Sequence, residues 1–263
     1  MLYLCTLTLH DNVFFATREM GTLYETEKYL HNWALSYALF EGQYINRPYR
    51  LKGEYAQKPS YLDSNHEQSL HPLNEVGLYV FPALPLQWSY QVNTFKAAQV
   101  NYYGKSKQFG DKGADRNYPI NFGRAKELAV GSTYRTFLVA PETMKFPKWT
   151  WIRLGKWSAK VRVEFAAIPK AAIQQKSGEY ICNHPLNPLD LPVSTRLLLY
   201  NRIVMPPVSL VSQAQLSGEY WQISKSQISE TELTQFPTLS TLPSQMCLPR
   251  GGFYGASSVA TAS

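Results

Sequence analysis

Between Lys96 and Arg162 the chain carries 14 Lys/Arg against 4 Asp/Glu. The segment is net +10, the rest of the chain is −3, and the whole is +7. The cations are interleaved with Tyr102, Tyr103, Phe109, Tyr118, Phe122, Tyr134, Phe137, Trp149, Trp151 and Trp157. Lysines and arginines at this density bind a polyanion by releasing its counterions, and flat side chains among them give unpaired bases a surface to stack on. The expected ligand is therefore single-stranded nucleic acid. The residues expected to hold it are Lys96, Tyr102, Tyr103, Lys105, Lys107, Phe109, Lys112, Arg116, Arg124, Lys126, Arg135, Lys148, Trp149, Trp151, Arg153, Lys156, Lys160 and Arg162. A solvated surface would intersperse acidic residues, which are scarce here.

Catalytic signatures are missing from the sequence. Gly104-Lys105-Ser106 has the end of a phosphate-binding loop, but the required earlier glycine is Gln99. No GxSxG, HExxH or GxGxxG pattern occurs. The cysteines Cys5, Cys182 and Cys247 form no CxxC pair and none stands at zinc-finger spacing from a histidine, so neither a metal nor another cofactor is expected. His10, His31, His66, His71 and His184 could act as general acids or bases, and a metal-independent ribonuclease needs no more than such a side chain near one phosphate. Each has a plainer place: His10 closes a strand, and His31 is expected on the charged side of a helix.

The elements that position the block follow from periodicity. Tyr3, Cys5, Leu7 and Leu9 alternate with Thr6, Thr8 and His10, the pattern of a half-buried strand with Cys5 in the core. Thr22-Leu23-Tyr24-Glu25 has capping-box spacing, and Leu30, Trp33, Ala34, Tyr37 and Ala38 recur at helical intervals, predicting a helix over 23–40. Its N-terminal end is acidic, which disfavours a helix that reads duplex DNA. Residues 42–76 lose periodicity and are expected to be an irregular insertion. Strands are expected around 78–81 and 86–95, and glycine-rich 104–131 reads as a protruding loop or thumb. Ala159, Val161, Val163 and Phe165 alternate with Lys160, Arg162 and Glu164, and Gly155 can turn this strand against Trp149-Trp151-Arg153. At least one of Trp149, Trp151 and Trp157 is expected in the core. The chain is expected to be a single domain over 1–263, with 96–162 as thumb and adjoining strands and 256–263 as a flexible tail. No basic leader or apolar run of membrane-spanning length occurs, so a soluble, cytoplasmic protein without a membrane partner is expected.

The stretch Arg18-Glu19-Met20-Gly21-Thr22-Leu23-Tyr24-Glu25-Thr26-Glu27-Lys28-Tyr29-Leu30-His31-Asn32-Trp33-Ala34-Leu35-Ser36-Tyr37-Ala38 resembles the opening of the type I-D CRISPR-associated Cas-five (Csc-one) family. The N-terminal strand, the length, the basic middle and a glycine-containing C-terminus agree with it. The resemblance implies an α+β protein of the RAMP superfamily, with a ferredoxin-like (RRM-type) core and a long thumb-like β-hairpin. It implies a non-catalytic subunit of a Cascade effector that caps the 5′ handle of the CRISPR RNA. Its partners would be the large subunit and the backbone subunit, with target DNA near the protospacer-adjacent motif as a further candidate. Arg250-Gly251-Gly252-Phe253-Tyr254-Gly255 resembles part of the superfamily's glycine-rich loop, which adds Arg250 to the expected RNA contacts. The alternative is a metal-independent endoribonuclease that processes the precursor RNA.

Overall fold

The computed structural model describes residues 1–21, 23–45, 51–52, 55–56, 61–63, 68–96 and 122–256, with the backbone alone at 51–52, 55–56, 95–96 and 122. In chain order come β1 (Leu2–Leu9), β2 (Arg18–Met20), β3 (Leu23–Glu25), helix α1 (Asn32–Phe40), β4 (Leu51–Lys52), β5 (Tyr55–Ala56) and the short helix α2 (His71–Glu75). Next are β6 (Tyr79–Val80), β7 (Leu84–Gln87), β8 (Tyr90–Lys96), β9 (Phe122–Leu128), β10 (Thr133–Val139), β11 (Trp149–Leu154) and β12 (Ala159–Ala167). The last third holds β13 (Ile173–Cys182), β14 (Arg196–Ile203), β15 (Leu210–Ser224), helix α3 (Glu230–Gln235) and β16 (Gln245–Pro249). The protein is mixed α/β and built mostly of strands. No helix among the described residues is long and apolar enough to cross a membrane.

The main sheet is antiparallel, in the order β11-β12-β1-β10, with β6 and β7 following one another along the outer edge of β10. Pro85 sits in β7, an edge strand, where its missing N–H removes no ladder bond that the sheet needs. β1 is central. It was expected to be half-buried, yet seven of its eight residues are buried, because α1 lies beyond one face and the segment Pro237–Thr241 touches β1 and β12. Cys5 is fully buried, as its neighbours predict, and burial pushes its thiol well above the usual range.

The helix is shorter than the periodicity predicts. Leu23–Glu25 is a strand, paired with β2 and, in parallel, with Arg124–Lys126 of β9. Partners distant in sequence override the local capping pattern here. The helix starts nine residues later, and its cap is His31, whose Nδ1 accepts from the Trp33 amide at 3.2 Å. His31 is therefore buried rather than on a charged side. Trp33, Leu35, Tyr37 and Phe40 enter the core, and α1 packs against β11 and β6.

Two further sheets attach. β13-β15-β14 is antiparallel, and the 15-residue β15 is long enough to pair with β14 along one half and β16 along the other. β2-β3-β9-β8 contains the antiparallel pair of Tyr90–Lys96 with Phe122–Leu128. Within 42–76, Leu51–Lys52 pairs with Tyr55–Ala56, and Leu70 and Leu73 are core residues.

At the start of the β11–β12 turn, Gly155 has φ +76°, and a Cβ there would lie 2.6 Å from the Phe14 carbonyl oxygen. The Lys156 amide bonds that same oxygen at 2.8 Å. Gly155→Ala is expected to cost about 2 kcal/mol through left-handed strain and this clash. A denaturant melt unchanged from wild type would refute it.

Candidate nucleic-acid interface

Strict alternation divides β11 and β12 into two faces. Ile152, Leu154, Val161, Val163 and Phe165 are buried on one. On the other, the register sets Trp149 beside Glu164, Trp151 beside Arg162, and Arg153 beside Lys160. Directly opposed residues in an antiparallel pair point the same way, so these six side chains form one outward patch. All three tryptophans of the region are exposed: Trp149 is 45%, Trp151 40% and Trp157 49% accessible. The expectation that one of them is core is overturned, because Ile152 and Leu154 already take the inward positions of β11. Trp157, in the turn, stacks on Phe14 at 4.5 Å.

Cations and rings interlock on the patch. The Lys160 ammonium lies 4.0 Å from the centre of the Trp151 ring, and the Arg162 guanidinium carbon 5.4 Å from that of Trp149. The indoles meet edge to face at 5.8 Å. Each cation–π contact contributes about 0.5–1 kcal/mol at an exposed site. Its larger effect is to hold charge and ring within one nucleotide's reach. Arg162 also bonds Glu164 at 2.7 Å, a pair exposed enough to contribute little.

Two neighbours were not foreseen. His10 continues the Thr6-Thr8 parity of β1 and packs edge-on to Trp151 at 4.8 Å. Asp11 accepts from the Lys160 amide at 2.9 Å and stands 3.9 Å from Arg153. The alternation in Leu2–His10 placed His10 on the polar face, but only the pairing of β1 with β12 brings it to Trp151.

The other expected residues are scattered. Tyr102, Tyr103, Lys105, Lys107, Phe109, Lys112 and Arg116 lie outside the described residues, as does the side chain of Lys96. Lys148 is exposed just before β11, and Lys156 is exposed in the turn. Arg124 and Lys126 belong to β9 in another sheet, where Lys126 bonds Glu25 at 3.0 Å and lies over Tyr90 at 4.5 Å. Arg250 pairs with Glu219 at 3.1 Å. Arg135 is buried and donates to the Thr241 carbonyl at 2.7 Å, so its charge is spent inside the protein. Burial lowers its pKa. Arg135→Met is expected to leave RNA affinity within about twofold, since phosphate contact requires an exposed cation. A tenfold loss in a binding titration would contradict this.

The glycine-rich C-terminus is anchored rather than displayed. Asp190 is buried and accepts from Asn32 at 2.7 Å, Trp33 Nε1 at 3.2 Å, the Tyr79 hydroxyl at 3.4 Å and the Gly255 amide at 2.9 Å. Burial raises its pKa to about 6 against those hydrogen bonds. Gly252 passes so close that a Cβ would come within 3.1 Å of the Asp190 carbonyl oxygen.

Beside the patch, past the β11–β12 turn, a pocket of about 620 Å³ opens between α1, the turn, residues 15–17 and residues 205–207. Its exposed charged lining residues are Arg153, Lys156 and Glu41.

Three solved structures bear some likeness to the chain. A chain from the cryo-EM structure of the Type III-B Cmr-beta bound to cognate target RNA and AMPPnP has 8% identity and a TM-score of 0.44, covering 89% of this chain and 92% of that one. A chain from the same assembly bound to cognate target RNA has 8% identity and a TM-score of 0.41, over 89% and 93%. A CRISPR protein from Archaeoglobus fulgidus has 11% identity and a TM-score of 0.34, over 84% and 95%. Comparison with curated proteins finds no match. The profile of one family, described as Type I-D CRISPR-associated protein Cas5/Csc1, matches residues 1–257, nearly the whole length, and the chain belongs to that family.

Proposed function

We propose that the protein is a non-catalytic subunit of a type I-D CRISPR effector that holds the 5′ handle of the CRISPR RNA on the β11–β12 patch. The observation that carries this reading is the ladder of exposed Trp149 and Trp151 with half-buried Lys160 and Arg162, in which each ring has a cation over it. Large aromatics are rarely left in solvent without a partner, and these are set among the charges that bind phosphate. The strand order β12-β1-β10-β6/β7, with α1 crossing from β1 to β6, supports a ferredoxin-like core. The antiparallel β8–β9 pair, whose strands flank 97–121, supports a thumb. Other effector subunits, large and backbone, would cover further surface, with target DNA as a second ligand.

The test is titration of purified protein with single-stranded repeat RNA across salt concentrations. Affinity that falls steeply with salt is expected. Salt-independent or absent binding would reject the reading.

A metal-independent endoribonuclease is the second reading, and His10 favours it: an exposed imidazole beside Lys160 and Trp151 could move a proton at a bound phosphate. Incubating repeat RNA with the protein in chelator decides between them. A specific cut that His10→Ala abolishes would establish the enzyme; intact RNA supports binding alone.

A further inference from the structure

The pocket beside the patch has the size and lining of a nucleotide site. We propose that it receives the base of one unpaired nucleotide, whose flanking phosphate is held by Arg153 and Lys156. This rests on the RNA-binding reading above and adds to it a discrete base-accepting site off the sheet face.

Its volume of about 620 Å³ lies in the range of small-ligand sites and is far too small for a duplex. The walls are mainly apolar and aromatic. Phe15 and Tyr61 are half-buried there, and Trp33, which also lines the pocket, lies 5.0 Å from Tyr61 between ring centres. Such walls accept the flat face of any base.

The charged lining is cationic on balance: Arg153 and Lys156 stand against Glu41, and Asp11 lies 3.9 Å from Arg153 outside the lining. Arg153 is on the outward face of β11 and is also one of the residues that line the pocket, so the patch and the pocket share this residue. Its side chain is 65% accessible although it bonds the Ser158 carbonyl at 3.2 Å, which leaves donors of the guanidinium fork for phosphate. Lys156 is exposed and makes no ion pair among the described residues. A strand lying on Trp149 and Trp151 would meet Arg153 and then Lys156 on its way to the pocket.

Space inside depends on two small residues. Ala34 and Ala38, one helical turn apart on α1, both line it. A large side chain at either would occupy the volume assigned to the base.

The experiment uses the full chain and a single-stranded RNA of about ten nucleotides, within the site size of such binders. Abasic sites are placed one position at a time and Kd is read by anisotropy. One position is expected at which base removal weakens binding about tenfold. Ala38→Trp, with its melting temperature checked, is expected to bind intact RNA about tenfold more weakly and to be indifferent to the abasic site at that position. Photocrosslinking of wild type with 4-thiouridine at the same position is expected to label peptides containing Phe15 or Tyr61, and needs no variant. Binding with no position of special base dependence overturns the pocket but leaves the RNA-binding reading standing. So does an Ala38→Trp profile identical to wild type, or crosslinks confined to β11 and β12. Absence of RNA binding overturns both.

Discussion

Acidification from pH 7 to pH 4 should remove about 4 kcal/mol of stability, because two histidines are buried in their neutral form. His31 donates from Nε2 to the Val208 carbonyl at 3.2 Å and caps α1 through Nδ1, so protonation of Nδ1 destroys the cap. Burial lowers its pKa to about 4. His184 donates from Nε2 to the Pro82 carbonyl at 2.8 Å, while its Nδ1 has no partner among the described residues. It lies against Phe137 and Phe81, and burial, with Arg135 nearby, lowers its pKa to about 3. An unfolded histidine titrates at 6.5. With folded values depressed, each contributes stability that is full above pH 6.5 and is lost as pH falls towards the folded pKa, about 3 kcal/mol apiece by pH 4.

Asp190 opposes them. Its folded pKa is raised from 3.8 to about 6, so its contribution is full below 3.8 and lost as pH rises through 6. Acidification to pH 4 returns about 2 kcal/mol from this group, less than the histidines lose. Urea melts at several pH values between 7 and 4 measure the net effect. Asp190→Asn should steepen the decline and His184→Gln should flatten it. A stability profile level across this window would refute the assignment.

Reversing the charges of the patch should weaken RNA binding about hundredfold at low salt and flatten its salt dependence. The variant is Lys160→Glu with Arg162→Glu. Both residues are on the outward parity of β12, so the core face of Val161 and Val163 is untouched and the fold should persist. Trp151→Ala alone should cost about tenfold. Because the Lys160 ammonium lies over that ring, the effects of Trp151→Ala and Lys160→Ala should be less than additive when combined. A variant that melts like wild type and binds RNA with unchanged affinity and salt slope would show that the RNA lies elsewhere.

The β11–β12 hairpin was legible in the sequence because both strands are local, alternate strictly and are joined by a turn with a glycine where a positive φ is required. The patch was therefore readable as far as Trp149, Trp151, Arg153, Lys160 and Arg162. The helix start was not, since the capping pattern at 22–25 is a local signal and the partner that turns Leu23–Glu25 into a strand is β9, about a hundred residues away. The same holds for Arg135. Its charge reads as surface, yet β10 is an interior strand and the Thr241 carbonyl supplies a buried acceptor.

By itself the sequence determined the cationic, aromatic character of 96–162 and the local alternation that sets its side chains on one face, because net charge and period-two patterning need no knowledge of distant partners. Only the tertiary structure decided which cations are available. Pairing and burial depend on contacts between segments far apart in the chain: they bring His10 to Trp151, withdraw Arg135 and Asp190 into the interior, and leave a pocket between α1 and the β11–β12 turn.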